Sequence, residues 1–426
     1  MEVLMPIIQP VRGARDFYPE DMAFRQWLNN QIRAASEQFG YQEYDGAFLE
    51  RLDLYAAKSG DELVKEQSYV FSDRSGVMLT LRPELTPSLA RMVAQRGKGL
   101  IPPLRWWSFG PFWRYERKQK GRSREFFQWN IDLIGVDGPR ADAELIAVAA
   151  TLFRNVGLTE DMVRIKVNNR RLAEKQLQGV GIDGEFIPIA FKLIDRRDRM
   201  TADTWKSYAF DSGFDEDQYT GLLQVLGKLD AWRFSSEMQE FFEAARDLGV
   251  EEYLDYDPTV IRGLDYYTGT VYEARDVKGN HRSILGGGRY NDLISVVGGD
   301  LVPATGFAMG DVVFGLVLDE NSITPDLRVC PADILVTNFE EGRASFSIQI
   351  ASELRNAGFR VEWYPEAVRL QRQLKYADRN KIPLVVIIGP DEIETDQVSV
   401  KNMFTGEQET FARGELQTKI KAQLAG

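Results

Sequence analysis

Apolar residues recur at three- and four-residue steps along residues 19–39, PEDMAFRQWLNNQIRAASEQF. Met22, Phe24, Trp27, Leu28, Ile32, Ala35 and Phe39 predict an amphipathic helix, opened by Pro19 and acidic residues and stopped at Gly40. Within residues 61–95 the runs QSYVFSD and VMLTLRP predict short strands. A helix follows, with Thr86 as its N-cap and Pro87 at its first position. Residues 104–117 and 124–135 read as two strands joined through KQKGRS, with the turn at Gly121. Residues 139–156 read as a helix, and strand character returns at 259–274. Between these, residues 170–255 are helical in period and rich in charge, which predicts a helical insertion. Residues 319–332 are polar, hold two prolines and lack a period, so they predict a linker. Beyond it DILVTN, FRVEWY and PLVVIIG predict strands, separated by helices in ASFSIQIASELRNAG and VRLQRQLKYADRN. SVKNMF and QETFA add two strands before a last helix, so a small α/β domain with a largely parallel sheet is expected. The pattern therefore divides the chain into residues 1–325 and 326–426.

Composition narrows the chemistry. At 426 residues and 44% hydrophobic content, the chain can bury two or three cores. A net charge of −12 excludes a uniformly basic coat, so any polyanion site must be a local patch. Cys330 is the single cysteine; an internal disulfide is impossible, which suits a reducing, cytoplasmic compartment. The N-terminal stretch lacks the pattern of a secretory signal, and no long apolar run predicts a membrane span. His281 is the single histidine, which argues against serine-triad chemistry and multi-histidine metal sites.

Four stretches could carry chemistry. WRYERKQKGRSREFFQWN (113–130) holds six cations against two acids. Strand alternation puts Arg114 and Glu116 on one face, and Arg124, Phe126, Gln128 and Asp132 on one face of the return strand. Such a loop can clamp phosphates through guanidinium forks, and it equally suits a solvated turn. In RPELT, Glu84 and Thr86 could hold an ammonium group, or Glu84 could be an ordinary exposed acid. In RGLDYYTGTVYEA (262–274), an arginine could face developing negative charge and a tyrosine could line a pocket. The bland alternative is an Arg262–Asp265 pair among strand tyrosines. GGGRY and GFAMGDVVFG match neither phosphate-loop nor dinucleotide patterns, and alone they predict close packing.

Taken in order, from VRGARDFYPE to QRQLKYAD, these pieces resemble the histidyl-tRNA synthetase family of class II aminoacyl-tRNA synthetases. RGLDYYTGTVYE resembles that family's histidine-binding signature, and WRYERKQKGRSREFFQ resembles class II motif 2. The resemblance implies an α/β fold with an α+β core: an antiparallel sheet flanked by helices, a helical insertion and a C-terminal α/β anticodon-binding domain. It implies ATP-dependent activation of histidine and transfer to tRNA(His), by a homodimer using ATP with Mg2+ and holding no resident metal. By the same resemblance Arg114 and Arg262 are catalytic, on opposite sides of the α-phosphate, with Glu116 and Arg122 also at ATP. Glu84, Thr86 and Gln128 would hold the ammonium and carboxylate of histidine, and Asp132, Tyr266 and Tyr267 its imidazole. Arg117 and Gln119 would face the tRNA acceptor end. The reaction joins two anions and needs no protein nucleophile, so positioning and charge neutralisation suffice. Three positions depart from the family pattern: Ala47 and Lys118 replace prolines, and Val313 stands where motif 3 carries an arginine. The rival is the non-catalytic paralogue that regulates ATP phosphoribosyltransferase, which typically lacks a C-terminal domain like residues 326–426.

Overall fold

The computed structural model describes residues 8–56, 66–117, 121–261 and 266–425. Its contacts form two units, Met1–Asp16 with Gln26–Thr324, and Phe17–Arg25 with Pro325–Gly426.

The strands of the first unit are β1 (Gln42–Glu43), β2 (Leu49–Arg51), β3 (Val70–Ser72), β4 (Met78–Leu81), β5 (Leu104–Trp113), β6 (Glu125–Ile134), β7 (Val163–Asn169), β8 (Leu254–Tyr256), β9 (Thr270–Asp276), β10 (Leu285–Arg289) and β11 (Ala304–Gly310). Eight of them form one sheet in the order β1-β5-β6-β11-β10-β9-β7-β8, and β2-β4-β3 form a smaller one. The large sheet is antiparallel except at its edges, where β1 joins β5 and β8 joins β7 in parallel. LRWWSFGPFW and EFFQWNIDLI are dense in aromatic and branched residues, and they pair over their whole length from Leu104↔Ile134 to Trp113↔Glu125.

Antiparallel partners share a face, so the register sorts the sheet into two surfaces. One carries Trp107, Ile131, Phe307, Gly287 and Tyr272 in a row, then Leu133, Thr305 and Arg289. Helix Pro139–Asn155 covers this surface; its Asp142 pairs with buried Arg289 at 2.9 Å. Burial pushes the Asp142 carboxyl up and Arg289 opposes it. The opposite surface carries Trp106, Asp132, Gly306 and Gly288 in one row, and Ser108, Asn130, Ala308, Gly286 and Glu273 in the next. Gly110, Gln128 and Gly310 form a third.

The stretch from 170 to 255 is helical, but it serves two bodies. Helices Arg170–Gly179, Phe186–Arg196, Ala202–Asp211 and Glu216–Gly227 enclose their own core around Leu177, Leu193, Trp205 and Leu222. Helix Ser236–Asp247 packs instead on helix Pro139–Asn155.

Three boundaries differ from the sequence pattern. The strand predicted over 104–117 ends at Trp113: the Arg114 amide still donates to the Arg124 carbonyl, but the Tyr115 amide turns away to the Gln67 carbonyl at 2.6 Å. Of the strand predicted over 259–274, residues 270–274 belong to β9 and residues 262–265 lie outside the described residues; at its start Asp257 accepts from the Thr259 amide and hydroxyl in a turn. Thr86 is not the N-cap: the Leu89 amide donates to the Leu85 carbonyl, so Leu85 holds that position and the helix is Thr86–Arg96.

In the second unit the strands are β12 (Ile334–Val336), β13 (Val361–Trp363), β14 (Leu384–Ile387), β15 (Gln397–Asn402) and β16 (Gln408–Ala412), ordered β13-β12-β14-β15-β16. The first three are parallel and the last two antiparallel. Ile334, Val336, Leu384 and Val386 pack on one side with helices Ala344–Asn356 and Leu416–Ala425. Leu335, Val385 and Ile387 pack on the other with Ala377 of helix Leu370–Arg379. Both faces are covered, which is why these strands read as unbroken apolar runs.

Candidate active site

The three-row surface of the large sheet lacks side-chain bulk at its centre. Gly306 must be glycine, because a Cβ there would collide with Asp132 Oδ1. A Cβ on Gly288 would stand 2.5 Å from the Thr270 carbonyl oxygen. Gly287 lies on the other surface, where its Cβ would strike the Gly306 carbonyl and Phe307. Close packing thus accounts for Gly287, while Gly288 and Gly306 also clear the floor around Asp132.

Asp132 is buried and accepts a 2.5 Å hydrogen bond from the Tyr290 hydroxyl. Burial pushes its carboxyl up to about 7, against the pull of that hydrogen bond. Tyr44 lies on the same side, its ring 5.4 Å from Trp106. The Tyr44 hydroxyl is buried with no hydrogen-bond partner among the described residues, and burial followed by Asp132 raises its pKa. Tyr266 stands 6.0 Å from Tyr290 and 4.9 Å from Tyr267, ring to ring. Burial raises its hydroxyl pKa, and Tyr267, Glu84 and Thr86 are all near enough to act on it. Glu84, Thr86, Asp132, Tyr266 and Tyr267 therefore converge, beside an apolar cluster of Leu89, Val260, Val271 and Leu293. Glu84 is itself buried, and Tyr55 braces its backbone by donating to the Glu84 carbonyl at 3.3 Å while bonding Ser88 at 3.2 Å. Gln128 is half-buried on β6, opposite Gly110 and Gly310.

At the hairpin, Arg114 Nε donates to the Pro83 carbonyl at 2.9 Å, next to Glu84, and its guanidinium lies 5.2 Å from the Phe126 ring centre. Glu116 and Arg122 form a 3.0 Å ion pair. Arg124 stacks on Tyr115 at 4.0 Å and donates to the Glu116 carbonyl at 3.3 Å. Arg117 is exposed. The described part of the hairpin is thus a braced array of cations rather than a free turn. Gln119, Lys118 and Lys120 lie outside the described residues, as do Arg262 and Asp265.

Other groups at the site escaped the sequence pattern. Arg82 is fully buried between the Phe48 and Phe112 rings, and donates to Asp45 at 2.5 Å and to the Gly46 and Pro111 carbonyls at 3.0 Å. Its Nη2 has no partner among the described residues and lies where a Gly110 Cβ would be. Arg82 opens the stretch RPELT and Tyr290 closes GGGRY, so membership of those stretches was the available signal; Tyr44 offered none. Asp311 accepts from Arg15 Nη2 at 2.8 Å and from the Phe127 amide at 2.9 Å, tying the chain start to β6. Among the described residues no group of three or more His, Cys, Asp or Glu side chains converges to hold a metal.

The antiparallel sheet with one cleared, polar face beside an arginine-bearing hairpin has the fold of solved class II synthetase structures. The solved histidyl-tRNA synthetase from Nostoc sp. shares the fold with a TM-score of 0.82 at 25% identity, covering 98% of this chain and 100% of that one. The family described as histidyl-tRNA synthetase matches residues 13–311, and the anticodon binding domain matches residues 333–423. The chain is 38% identical to a chloroplastic/mitochondrial histidine–tRNA ligase of Arabidopsis thaliana, over 94% of this chain and 84% of that one. It is 35% identical to a histidine–tRNA ligase of Opitutus terrae, over 98% and 99%. The chain belongs to the histidyl-tRNA synthetase family.

Proposed function

We propose that this chain is a histidine–tRNA ligase: it activates histidine with ATP and transfers it to the 3′ end of tRNA(His). The observation that carries the reading at the site is the buried Asp132–Tyr290 pair on a glycine-cleared floor, walled by Tyr266. A buried carboxylate without a cation is costly, and an imidazole N–H is a donor that relieves it. An apolar ring of the same size leaves the carboxylate unpaired, which is the basis for rejecting it. Glu84, Thr86 and Gln128 receive the ammonium and carboxylate ends, with Tyr267 beside the ring.

In activation, a histidine carboxylate oxygen attacks the α-phosphorus, the bond to the bridging oxygen breaks, and pyrophosphate leaves. Arg114 neutralises charge from one side and Arg262 from the other, while Glu116 and Arg122 frame the nucleotide. Magnesium enters as part of the nucleotide substrate. In transfer, a hydroxyl of the terminal ribose attacks the histidyl carbonyl and AMP departs, with Arg117 and Gln119 beside the acceptor end. Residues 326–426 form the anticodon-binding domain and residues 1–325 the catalytic one, in a cytosolic homodimer. The match of residues 333–423 to an anticodon binding domain favours this reading over a regulatory paralogue.

Pyrophosphate–ATP exchange tests it. The protein exchanges label only with histidine present, and Arg114→Ala lowers that rate by about 10²–10³ with histidine affinity retained. Absence of histidine-dependent exchange overturns the enzyme reading, and a full rate in the variant overturns the role given to Arg114.

A further inference from the structure

The ladder between β5 and β6 closes on one bond, from the Arg114 amide to the Arg124 carbonyl at 2.9 Å. Beyond it the backbone amides turn to segments outside the hairpin. The Tyr115 amide goes to Gln67, and the Arg124 and Glu125 amides both donate to the Gly13 carbonyl, at 3.0 and 3.2 Å. Other stretches of the chain therefore set the point where the two arms part. Gly13 is the third residue of a turn closed by the Ala14 amide on the Val11 carbonyl, and its φ of +93° favours glycine. A Cβ there would also stand 2.8 Å from Arg124 Cγ and 2.9 Å from Arg124 Cβ and Cδ. The aliphatic stem of Arg124 thus lies against this glycine. Its guanidinium stacks on the Tyr115 ring at 4.0 Å, while Nε donates to the Glu116 carbonyl at 3.3 Å and Nη1 to the Arg12 carbonyl at 3.4 Å. Two residues beyond Gly13, Arg15 pairs with Asp311, which holds the Phe127 amide.

We infer that Gly13 and Arg124 are positioning residues for activation: they form a clasp that fixes the angle at which the hairpin carries Arg114 and the Glu116–Arg122 pair, without touching substrate. The role rests on the proposed ligase reading. A reaction driven by positioning and charge neutralisation gains from cations only when they are held in place. The clasp joins three strands of chain at one side chain, because Arg124 touches Tyr115 and Glu116 of the outgoing arm and Arg12 and Gly13 of the chain start. Both bonds from its fork are long, so the stack on Tyr115 and the packing of the stem on Gly13 carry more of the clasp. The Arg15–Asp311–Phe127 chain is a second tie of the same segment to the returning arm. The histidine floor at Asp132 and Tyr290 has its own hydrogen bond, lower on β6, and does not depend on the clasp.

The test joins histidine-dependent pyrophosphate exchange to amide hydrogen exchange on the full-length protein. Gly13→Ala lowers the exchange rate at saturating substrates by about 10- to 100-fold, with calorimetric histidine affinity within about twofold. It also speeds hydrogen exchange of the amides at 124–125 and leaves those at 129–134 as in the parent. Arg124→Ala gives the same pattern, and Arg124→Lys, which keeps the stem and the charge, recovers part of the rate. The double variant is no slower than the slower single one by more than about twofold, because both break one clasp. Should Gly13→Ala not fold, Arg15→Ala decides, with the same pattern at about three- to tenfold. A rate within about twofold of the parent in the folded variant overturns the inference, as does a loss of histidine affinity equal to the loss of rate. Additive losses in the double variant also overturn it, since Arg124 would then act on the nucleotide directly. If the parent shows no histidine-dependent exchange while Gly13→Ala still frees the amides at 124–125, the clasp stands and the ligase reading falls.

Discussion

The two sheets of this protein use their buried positions in opposite ways. In the second unit, β12 and β14 are aliphatic on both faces, and the buried polar groups beside them are neutral. Gln373 there accepts from the Asn338 amide and donates to the Asn338 and Val368 carbonyls, and Thr337 accepts from the Ile388 amide. In the first unit, one sheet surface buries Asn130, Asp132 and Glu273, with glycines where side chains would fill the space, and Glu84 is buried in the segment after β4. Burying charge works against folding unless a partner compensates it. The aliphatic sheet is therefore composed for stability, whereas the polar surface buries carboxylates around a floor kept clear by glycines.

Substitutions of one atom type separate the two. Gly306→Ala drives a methyl into Asp132 and is expected to abolish histidine-dependent exchange, a loss of about 10³ or more on the scale of a removed electrostatic contact. Circular dichroism of the second unit's strands stays unchanged. Exchange within about tenfold of the parent would mean that the cleared floor is not the site. Leu384→Ala, in the aliphatic sheet, is the converse: it costs the second unit about 2–5 kcal/mol in denaturant unfolding. Exchange is then unchanged while charging of tRNA declines, and a parallel fall in exchange would show that the two sheets are not independent in function.

The same contrast explains what the sequence revealed. Period-two and period-3.6 patterns are enforced by burial of apolar faces, so β12 to β16 and helices such as Pro139–Asn155 were readable from local pattern. The hairpin β5–β6 was readable for the same reason, but its end was not, since that depends on the distant Gln67 carbonyl. At 259–274 the alternation holds in β9, while its start is overruled by the Asp257 turn. The site was legible where its residues sit in marked motifs: Glu84, Thr86, Asp132, Tyr266 and Tyr267 do meet, although separated by up to 183 positions. Tyr44 and Arg82 were not, because their place depends on the register of β1 with β5 and on Gly110, which no local pattern encodes. The two roles of neighbouring Gly287 and Gly288 were also hidden, because they follow from which face each occupies.

Asp132→Asn tests the central claim, that Asp132 is held at a folding cost in order to read imidazole. The folded-state carboxyl lies near 7 against 3.8 ordinarily, so between those values the folded state binds the extra proton and stability falls as pH rises. The asparagine variant lacks that fall. In denaturant unfolding without ligand it should match the parent near pH 4 and gain on it up to pH 8, by on the order of 4 kcal/mol at most. Its calorimetric affinity for histidine should at the same time be lost. A variant that gains no stability with rising pH, or that binds histidine as the parent does, would contradict the account.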